Sequence, residues 1–215
     1  MKDKKKQKPY LIGITGSLGT GKSLIGNILS KLGVFVIDTD DVVRDLLKTK
    51  NQISQKIASK FGEAVLNKNP NEYTNKKILS DIVFTNVKKR KILESIVHPE
   101  VRKRLARLIA GNKNKKIITV LVPLLFETHM ENLFNETWCV ICSKKIQLLR
   151  LKRKGYTLKE AIARIKAQLP QKEKIKRADF NIDNSYEINK TKLQVVNRLK
   201  ALAQSDRNRH LSFCK

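Results

Sequence analysis

The sequence predicts an α/β fold, a doubly wound parallel sheet of about five strands with helices on both faces. The first observation is a strand, Tyr10–Ile14, that leads through a glycine-rich loop into a helix, Lys22–Lys31, and then into a second strand, Val34–Ile37. The second is a pair of β-branched runs, Ile117–Val122 and Thr137–Cys142, which have the length of buried parallel strands. Because strands alternate with helical sequence, parallel pairing is expected.

The segment between the second and third strands has a different composition. Residues from about Leu46 to Asn114 are rich in Lys, Asn and Glu, with apolar residues at helical spacing. This pattern predicts a helical insertion. Asn67–Asn71 is predicted to form a turn inside it, and Gly111–Asn114 a loop that closes it.

Lys144–Gln168 also favours helix, with a break at Gly155-Tyr-Thr157, so a helical hairpin is expected. An amphipathic helix is predicted at the C-terminal end, with an apolar face formed by Ile188, Leu193, Val196, Leu199 and Leu202. The predicted division is a core of residues 1–45, 115–143 and 169–215, an insertion at 46–114 and the hairpin at 144–168.

The chain is strongly basic, with 46 Lys and Arg against 19 Asp and Glu and a formal net charge of +27. Such a charge is typical of proteins with a polyanionic partner, but a biased background composition also explains lysines spread over solvent positions. Aromatic residues are only 6% of the chain, which leaves few platforms for base stacking. We therefore expect no specific nucleic-acid partner, and a monomer or weak oligomer.

Three cysteines do not make a disulfide framework, and an odd number favours a reducing, cytoplasmic compartment. Cys139 and Cys142 resemble half of a metal site, but residues three apart on a strand point to opposite faces, so both are predicted to be small buried side chains. The basic N-terminal residues lack the apolar core of a signal peptide, and the longest apolar run is about half the ~20 residues of a membrane span.

Gly16-Ser-Leu-Gly-Thr-Gly-Lys-Ser23 matches the phosphate-binding pattern G-x-x-x-x-G-K-[ST] between a strand and a helix. Gly16, Gly19 and Gly21 allow backbone N–H groups to turn toward phosphate oxygens, and Lys22 is expected to bridge the transferring phosphoryl group. The Ser23 hydroxyl suits Mg²⁺. The motif predicts a bound nucleoside triphosphate with Mg²⁺, against the alternative of a turn that merely joins strand to helix.

Asp38 and Asp40 follow the second strand. Residues i and i+2 of an extended segment share a face, so both carboxylates are expected to address the space above the phosphate loop. One is predicted to position Mg²⁺ and the other to accept the proton of an attacking hydroxyl, with Asp40 as the base and Asp38 as the metal-associated group. The alternative is that they are solvated turn residues, or that one caps the next helix.

Taken together, these motifs resemble those of the dephospho-coenzyme A kinases. The matching segments stay in order from Leu11 to Ser185: Ile12–Ser23, Val36–Asp40 with Arg44, His98-Pro99, Val122–Glu127 and Ala178–Asn184. Members of that family transfer the γ-phosphate of ATP to the ribose 3′-hydroxyl of dephospho-coenzyme A. The resemblance implies a P-loop kinase fold with a nucleotide-binding core, a helical acceptor domain at 46–114 and a lid at 144–168.

The resemblance also implies roles for individual residues. Arg150 or Arg153 of the lid would stabilise charge on the transferring phosphoryl group. Residues implied to bind the nucleotide are Thr15, Gly16, Gly19, Thr20, Gly21, Lys22, Ser23, Leu24 and Asn184, the last bordering the adenine. Residues implied to contact the acceptor are Arg44, Lys76, His98 and Glu127. His98-Pro99 follows an apolar helix ending at Val97, which favours a helix-terminating or substrate-contacting role over proton transfer.

Two positions depart from the family pattern. Ser17 replaces a usual glycine, which lowers backbone freedom in the loop, and Lys76 replaces a usual arginine, which removes the bidentate fork on a phosphate. Two other functions stay open at this point. One is a small P-loop kinase acting on a nucleoside or nucleotide, and the other is a nucleotide-dependent nucleic-acid-binding protein.

Overall fold

The structure is a computed structural model that describes residues 8–67, 73–84 and 86–211. These residues form two compact units: one comprises the chain up to Ile37 and from Asn114 onward, and the other runs from Asp38 to Lys113. Most of the turn predicted at Asn67–Asn71 lies outside the described residues. Across the described ranges, every helix is too short or too polar to span a bilayer.

The first unit carries a five-stranded sheet in the order β2-β3-β1-β4-β5. Strand β1 pairs in parallel with β3 and with β4, and β4 pairs in parallel with β5. The strands are β1 (Tyr10–Thr15), β2 (Phe35–Asp38), β3 (Ile117–Leu121), β4 (Glu136–Ile141) and β5 (Phe180–Asp183). The predicted doubly wound fold is confirmed, and β5 is the strand that periodicity did not locate.

Helices follow the strands as the sequence predicts, including the hairpin with its break at Gly155. In chain order they are α1 (Lys22–Lys31), α2 (Thr39–Lys48), α3 (Gln52–Phe61), α4 (Lys76–Phe84), α5 (Val87–Gly111), α6 (Lys144–Arg153), α7 (Leu158–Lys166), α8 (Gln171–Arg177) and α9 (Ile188–Leu211). Helices α2 to α5 belong to the second unit. The insertion is therefore helical, as predicted.

The predicted apolar face of the C-terminal helix is partly wrong. Ile188 and Leu193 are each 59% exposed, whereas Thr191 and Val195 are fully buried. Residues four apart share a helix face, so the buried stripe runs through Thr191 and Val195 and on to Leu199. Because threonine is a polar residue, the spacing of apolar residues alone does not locate the buried face of this helix.

The helix predicted to end at Val97 does not end there. Helix α5 continues through His98 and Pro99 to Gly111, although an internal proline removes one backbone hydrogen bond and costs about 3 kcal/mol. Val97, Val101 and Leu105 are buried at intervals of four residues, on one face. Their packing on both sides of the proline offsets its cost, so His98-Pro99 does not terminate a helix.

A buried carboxylate ties α9 to the sheet. Glu136, only 4% exposed at the start of β4, accepts hydrogen bonds from Trp138 Nε1 at 2.6 Å and from Arg198 Nε at 2.7 Å. The hydrogen bond to Glu136 raises the pKa of the Arg198 guanidinium. The pair thus joins a buried carboxylate of the sheet to a partly exposed arginine of α9.

Glu136→Ala is expected to lower the free energy of unfolding by about 3 kcal/mol, because it leaves the buried indole N–H and the guanidinium without their acceptor. Urea denaturation monitored by circular dichroism measures the change. Glu173→Ala, which removes an exposed partner of Lys176, is the control and should change stability by less than about 0.5 kcal/mol. Equal losses in the two variants would contradict the assignment.

Candidate active site

The phosphate-binding motif forms a tight loop between β1 and α1. Lys22 Nζ donates hydrogen bonds to the carbonyl oxygens of Gly16 at 2.7 Å and of Ser17 at 3.3 Å, so the ammonium folds back over the loop. Thr20 closes the loop from inside, since its hydroxyl donates to the Ser17 carbonyl at 2.9 Å. The loop therefore holds a cation above the N-terminus of α1, an arrangement that attracts phosphate.

Gly21 is the N-cap of α1 and adopts the left-handed conformation, with φ of 106°. A Cβ atom at this position would lie 2.0 Å from Asn184 Nδ2. The Asn184 side chain donates to the Thr20 carbonyl at 2.7 Å and accepts from the Thr191 hydroxyl at 3.1 Å. Both the backbone and the contact with Asn184 thus require glycine at position 21.

Ser17, the predicted departure from the family pattern, introduces no strain in the loop. Its φ is not positive, and its side chain is buried. A serine can adopt such a backbone, so this position does not need the conformational freedom of glycine. Its carbonyl is one of the acceptors for Lys22.

Ser23 and Leu24 begin α1. Ser23 is exposed, and its hydroxyl makes no hydrogen bond with another described residue. Leu24 packs against the apolar core, which anchors the helix behind the loop. Within the described part of the chain, no three His, Cys, Asp or Glu side chains cluster as a metal site would need.

A buried lysine contacts the segment that follows β3, and no sequence pattern singled it out. Lys174 in α8 is fully buried, with Nζ 2.8 Å from Glu127 Oε1 and 3.0 Å from the Pro123 carbonyl. The Thr15 hydroxyl donates to the same carbonyl at 3.2 Å. Glu127 also accepts from the Leu169 N–H at 2.9 Å. Helix α8 contains other cations, so only packing distinguishes Lys174 from its neighbours.

The two arginines predicted in the lid differ in their surroundings. Arg150 donates from Nη1 to the Thr20 carbonyl at 3.2 Å and from Nη2 to the Asn184 carbonyl at 2.9 Å. Arg153, at the end of α6, is exposed and forms no hydrogen bond or ion pair with another described residue. The structure therefore brings Arg150, and not Arg153, to the phosphate loop.

In the second unit, Asp38 and Asp40 do not lie on one extended segment, and that prediction is wrong. Asp38 ends β2 and caps α2, accepting the Asp40 N–H on Oδ1 at 2.9 Å. Asp40 lies in the first turn of the helix, because an aspartate at the N-cap favours helix initiation immediately after it. The alternative in which one aspartate caps a helix therefore applies to Asp38.

The predicted acceptor residues of the second unit lie on three of its helices. Arg44 in α2 pairs with Asp41 at 2.5 Å, Lys76 opens α4, and His98 lies in α5. Burial lowers the pKa of the His98 imidazole, with Arg102 lowering it further and Glu94 opposing. The imidazole is therefore mainly neutral near pH 7.

The same unit has a cavity of about 310 Å³ whose lining does not include Arg44, Lys76 or His98. It lies between α2 and the C-terminal half of α5 and is lined by apolar side chains such as Val42 and Leu108 and by the cations Lys103, Arg104 and Arg107. The cavity is a separate feature from the predicted acceptor contacts.

Comparison with known proteins decides the family. The sequence model of the dephospho-CoA kinases matches residues 10–190. The dephospho-CoA kinase of Carboxydothermus hydrogenoformans is 39% identical over 193 residues, which cover 88% of this chain and 93% of that protein. The chain belongs to the dephospho-CoA kinase family. Its counterpart from Parasynechococcus marenigrum is 38% identical, with 83% of this chain and 89% of that protein covered.

Solved structures agree with this assignment. A dephospho-CoA kinase from Campylobacter jejuni superimposes with a TM-score of 0.67 at 30% identity and covers 91% of this chain and 98% of its own. As a member of the dephospho-CoA kinase family, the chain is a P-loop kinase, and ATP is its co-substrate. The resemblance stated from sequence motifs is confirmed.

The two cysteines of β4 and its end belong to the interior of this kinase. Cys139 and Cys142 are both buried, as predicted. Burial raises the pKa of the Cys139 thiol to about 11 and also raises that of Cys142. Both thiols are therefore protonated near neutral pH and are poor nucleophiles.

Proposed function

We propose that this chain transfers the γ-phosphate of ATP to the ribose 3′-hydroxyl of dephospho-coenzyme A, giving coenzyme A and ADP. The observation that carries the proposal is the match to the dephospho-CoA kinases over residues 10–190, with an intact phosphate loop inside it. Relatives that carry this name align over nearly their full length. A kinase of another small molecule is the alternative, and no feature of the described residues favours it.

The nucleotide-binding role is assigned to the loop from Gly16 to Ser23, with Thr15, Leu24 and Asn184 supporting it. Lys22 exchanges its carbonyl partners for phosphate oxygens when the nucleotide binds, because an ionised phosphate is the stronger acceptor. Ser23 and Asp38 would hold Mg²⁺, directly or through water. When bound, the ion would neutralise phosphate charge during the transfer.

Asp40 is the proposed general base. Its carboxylate takes the proton from the ribose 3′-hydroxyl while the 3′ oxygen forms a bond to the γ-phosphorus. The bond between that phosphorus and the β,γ-bridging oxygen breaks in the same step, and ADP leaves with the electron pair. Asp38 accepts the Asp40 N–H as the cap of α2 and is proposed to hold the metal and its water.

The helical segment 46–114 is proposed to bind the acceptor together with Arg44 at its edge, through Lys76 and His98. A neutral imidazole at His98 is suited to hydrogen bonding with a substrate and not to donating a proton. Glu127, whose Oε1 lies 2.8 Å from Lys174 Nζ, is also proposed to contact the acceptor. We also propose that the enzyme works in the cytoplasm, as its buried unpaired cysteines suggest, as a monomer or weak oligomer.

The segment 144–168 is proposed as the lid, with Arg150 as the arginine that faces the nucleotide phosphates. Its contacts with the Thr20 and Asn184 carbonyls support this choice over Arg153. A guanidinium beside the loop stabilises the negative charge that spreads over the phosphoryl oxygens during transfer.

Arg150→Met is therefore expected to reduce kcat for phosphorylation by about 10²-fold, since one preorganised donor is lost. Arg153→Met is the matched control on the same helix and should change kcat by less than about threefold, because its exposed side chain contributes little. Steady-state ADP release at saturating ATP measures both. A larger loss in the Arg153 variant would reverse the assignment.

An acceptor panel tests the proposed function. Purified protein with ATP and Mg²⁺ is offered dephospho-coenzyme A, adenosine, cytidine, AMP and shikimate, and ADP release is followed with each. We expect turnover with dephospho-coenzyme A at a kcat/KM at least about a hundredfold above any other acceptor, as specific contacts to the whole acceptor allow. Preference for a nucleoside or nucleotide would instead establish the alternative.

A further inference from the structure

Leu18, at the tip of the phosphate loop, has both of its backbone polar groups held by glutamine side chains. Gln147 Nε2 donates to the Leu18 carbonyl at 2.7 Å, and Gln168 Oε1 accepts from the Leu18 N–H at 2.9 Å. The two glutamines come from different places, α6 and the segment after α7. Both the N–H and the carbonyl of this single loop residue are thus hydrogen-bonded to side chains.

The chemistry of the backbone fixes the sense of each bond. A carbonyl only accepts and an N–H only donates, so Gln147 must present its NH₂ group and Gln168 its oxygen. Gln147 is only 5% exposed, which strengthens its hydrogen bond and makes its loss costly. The pair is therefore a specific arrangement and not an incidental surface contact.

The same helix also packs against the next residue of the loop. A Cβ atom on Gly19 would lie 2.9 Å from Leu151 Cγ, so α6 touches the loop backbone closely. A loop with three glycines has much conformational freedom to lose when it closes around a phosphate. Contacts that fix Leu18 and Gly19 in advance reduce that loss. They also commit the Leu18 N–H to Gln168, while the Thr20 N–H donates to the Ser17 carbonyl at 3.3 Å, so the anion is left to the other N–H groups of the loop.

We propose that Gln147 and Gln168 are positioning residues that hold the tip of the phosphate loop in its nucleotide-binding shape. They act through Leu18 and link the loop to both ends of the hairpin that carries Arg150. This inference rests on the proposed function only in assigning a nucleotide to the loop. It does not depend on the identity of the acceptor.

Substitution of each glutamine by glutamate tests the proposal. Gln168→Glu keeps an oxygen acceptor for the Leu18 N–H, whereas Gln147→Glu places a carboxylate against the Leu18 carbonyl and loses the donor. Both variants add a carboxylate beside the same residue, but Gln147 is more buried than Gln168, so the thermal unfolding of each variant is used to separate the cost of burying the charge from the lost hydrogen bond. We expect the Kd for ATP, measured by isothermal titration calorimetry, to rise about tenfold or more further in Gln147→Glu than in Gln168→Glu.

Gln168→Leu provides a second variant at a half-buried site that should still fold, and here we expect a Kd for ATP about tenfold above wild type. Gln171→Leu is the control, because Gln171 also donates to a backbone carbonyl, that of Cys142, but not to the loop. Its Kd should stay within about twofold of wild type. Thermal unfolding of every variant separates loss of fold from loss of loop shape.

Unchanged ATP affinity in Gln168→Leu, or equal effects of the two glutamate variants, would overturn the inference even if dephospho-coenzyme A is phosphorylated. Conversely, the expected pattern of ATP affinities in a protein that does not phosphorylate dephospho-coenzyme A would refute the proposed function and leave the positioning role intact. Calorimetry with ATP alone thus distinguishes the two failures.

Discussion

Replacing Lys22 by alanine is expected to lower kcat for phosphoryl transfer by about 10³-fold. The Lys22 ammonium lies over the loop, within hydrogen-bonding distance of two loop carbonyls, at the place where the β- and γ-phosphates bind in such loops. Alanine removes the ammonium charge that stabilises the phosphoryl group during its transfer. Coupled measurement of ADP release at saturating ATP and acceptor gives the change.

The control for this variant is Lys31→Ala. Lys31 is exposed and lies in the last turn of the same helix, at the end opposite the phosphate loop. Its removal should leave kcat within about twofold of wild type. Circular dichroism of Lys22→Ala should match wild type, since its hydrogen bonds to the Gly16 and Ser17 carbonyls lie within one loop. Full activity in Lys22→Ala would mean that the loop does not hold the reacting phosphate.

Asp40→Asn is expected to lower kcat by about 10²- to 10⁴-fold with little change in the KM for either substrate. Asparagine has nearly the shape of aspartate but cannot take a proton, so the 3′-hydroxyl loses its base while binding persists. Single-turnover measurement of product formation reports this step free of ADP release. A loss confined to KM would instead assign Asp40 to acceptor binding.

Asp41 gives a matched control for Asp40, and Asp38 tests a separate role. Asp41→Asn changes a residue of the same helical turn that pairs with Arg44 on the surface, and kcat should fall by less than about threefold. Asp38→Ala removes the side chain that caps α2 and should also cost about 1 kcal/mol of stability. A fall in kcat without a fall in stability for Asp38→Ala would show that its metal role outweighs its capping role.

Much of the fold follows from local patterns in the sequence. Short apolar strands next to a glycine-rich loop predict a parallel sheet because few other arrangements satisfy them, and the observed bounds of β1 and α1 lie within a residue of the prediction. The phosphate loop was predictable because its glycines, lysine and serine are contiguous. When the residues of a site are contiguous, their spacing in the sequence is enough to predict how the site is arranged.

Features that depend on packing were not predictable in this way. Asp40 lies in a helix because Asp38 caps it, and α5 continues past Pro99 because Val97, Val101 and Leu105 pack on one face. Spacing alone describes neither effect. A local cap and tertiary packing thus override what a strand end and a proline indicate.

Long-range polar contacts were the features least predictable from the sequence. Lys174 lies in a basic segment, and only the fold selects it as the buried partner of Glu127. Gln147 and Gln168 are 21 positions apart in the chain yet meet at Leu18. Their amides carry no charge and match no motif, so the sequence gives no reason to single them out before the loop and the hairpin are seen together.

The measurement that tests the central claim most directly is identification of the product formed from ATP and dephospho-coenzyme A. The reaction is run with purified protein and Mg²⁺, and the product is analysed by mass spectrometry and by phosphorus NMR. We predict a product heavier than the acceptor by one phosphoryl group, with the new phosphate on the ribose 3′ oxygen and one ADP released per product. Unmodified acceptor with ATP still bound, or phosphate at another position, would contradict the account.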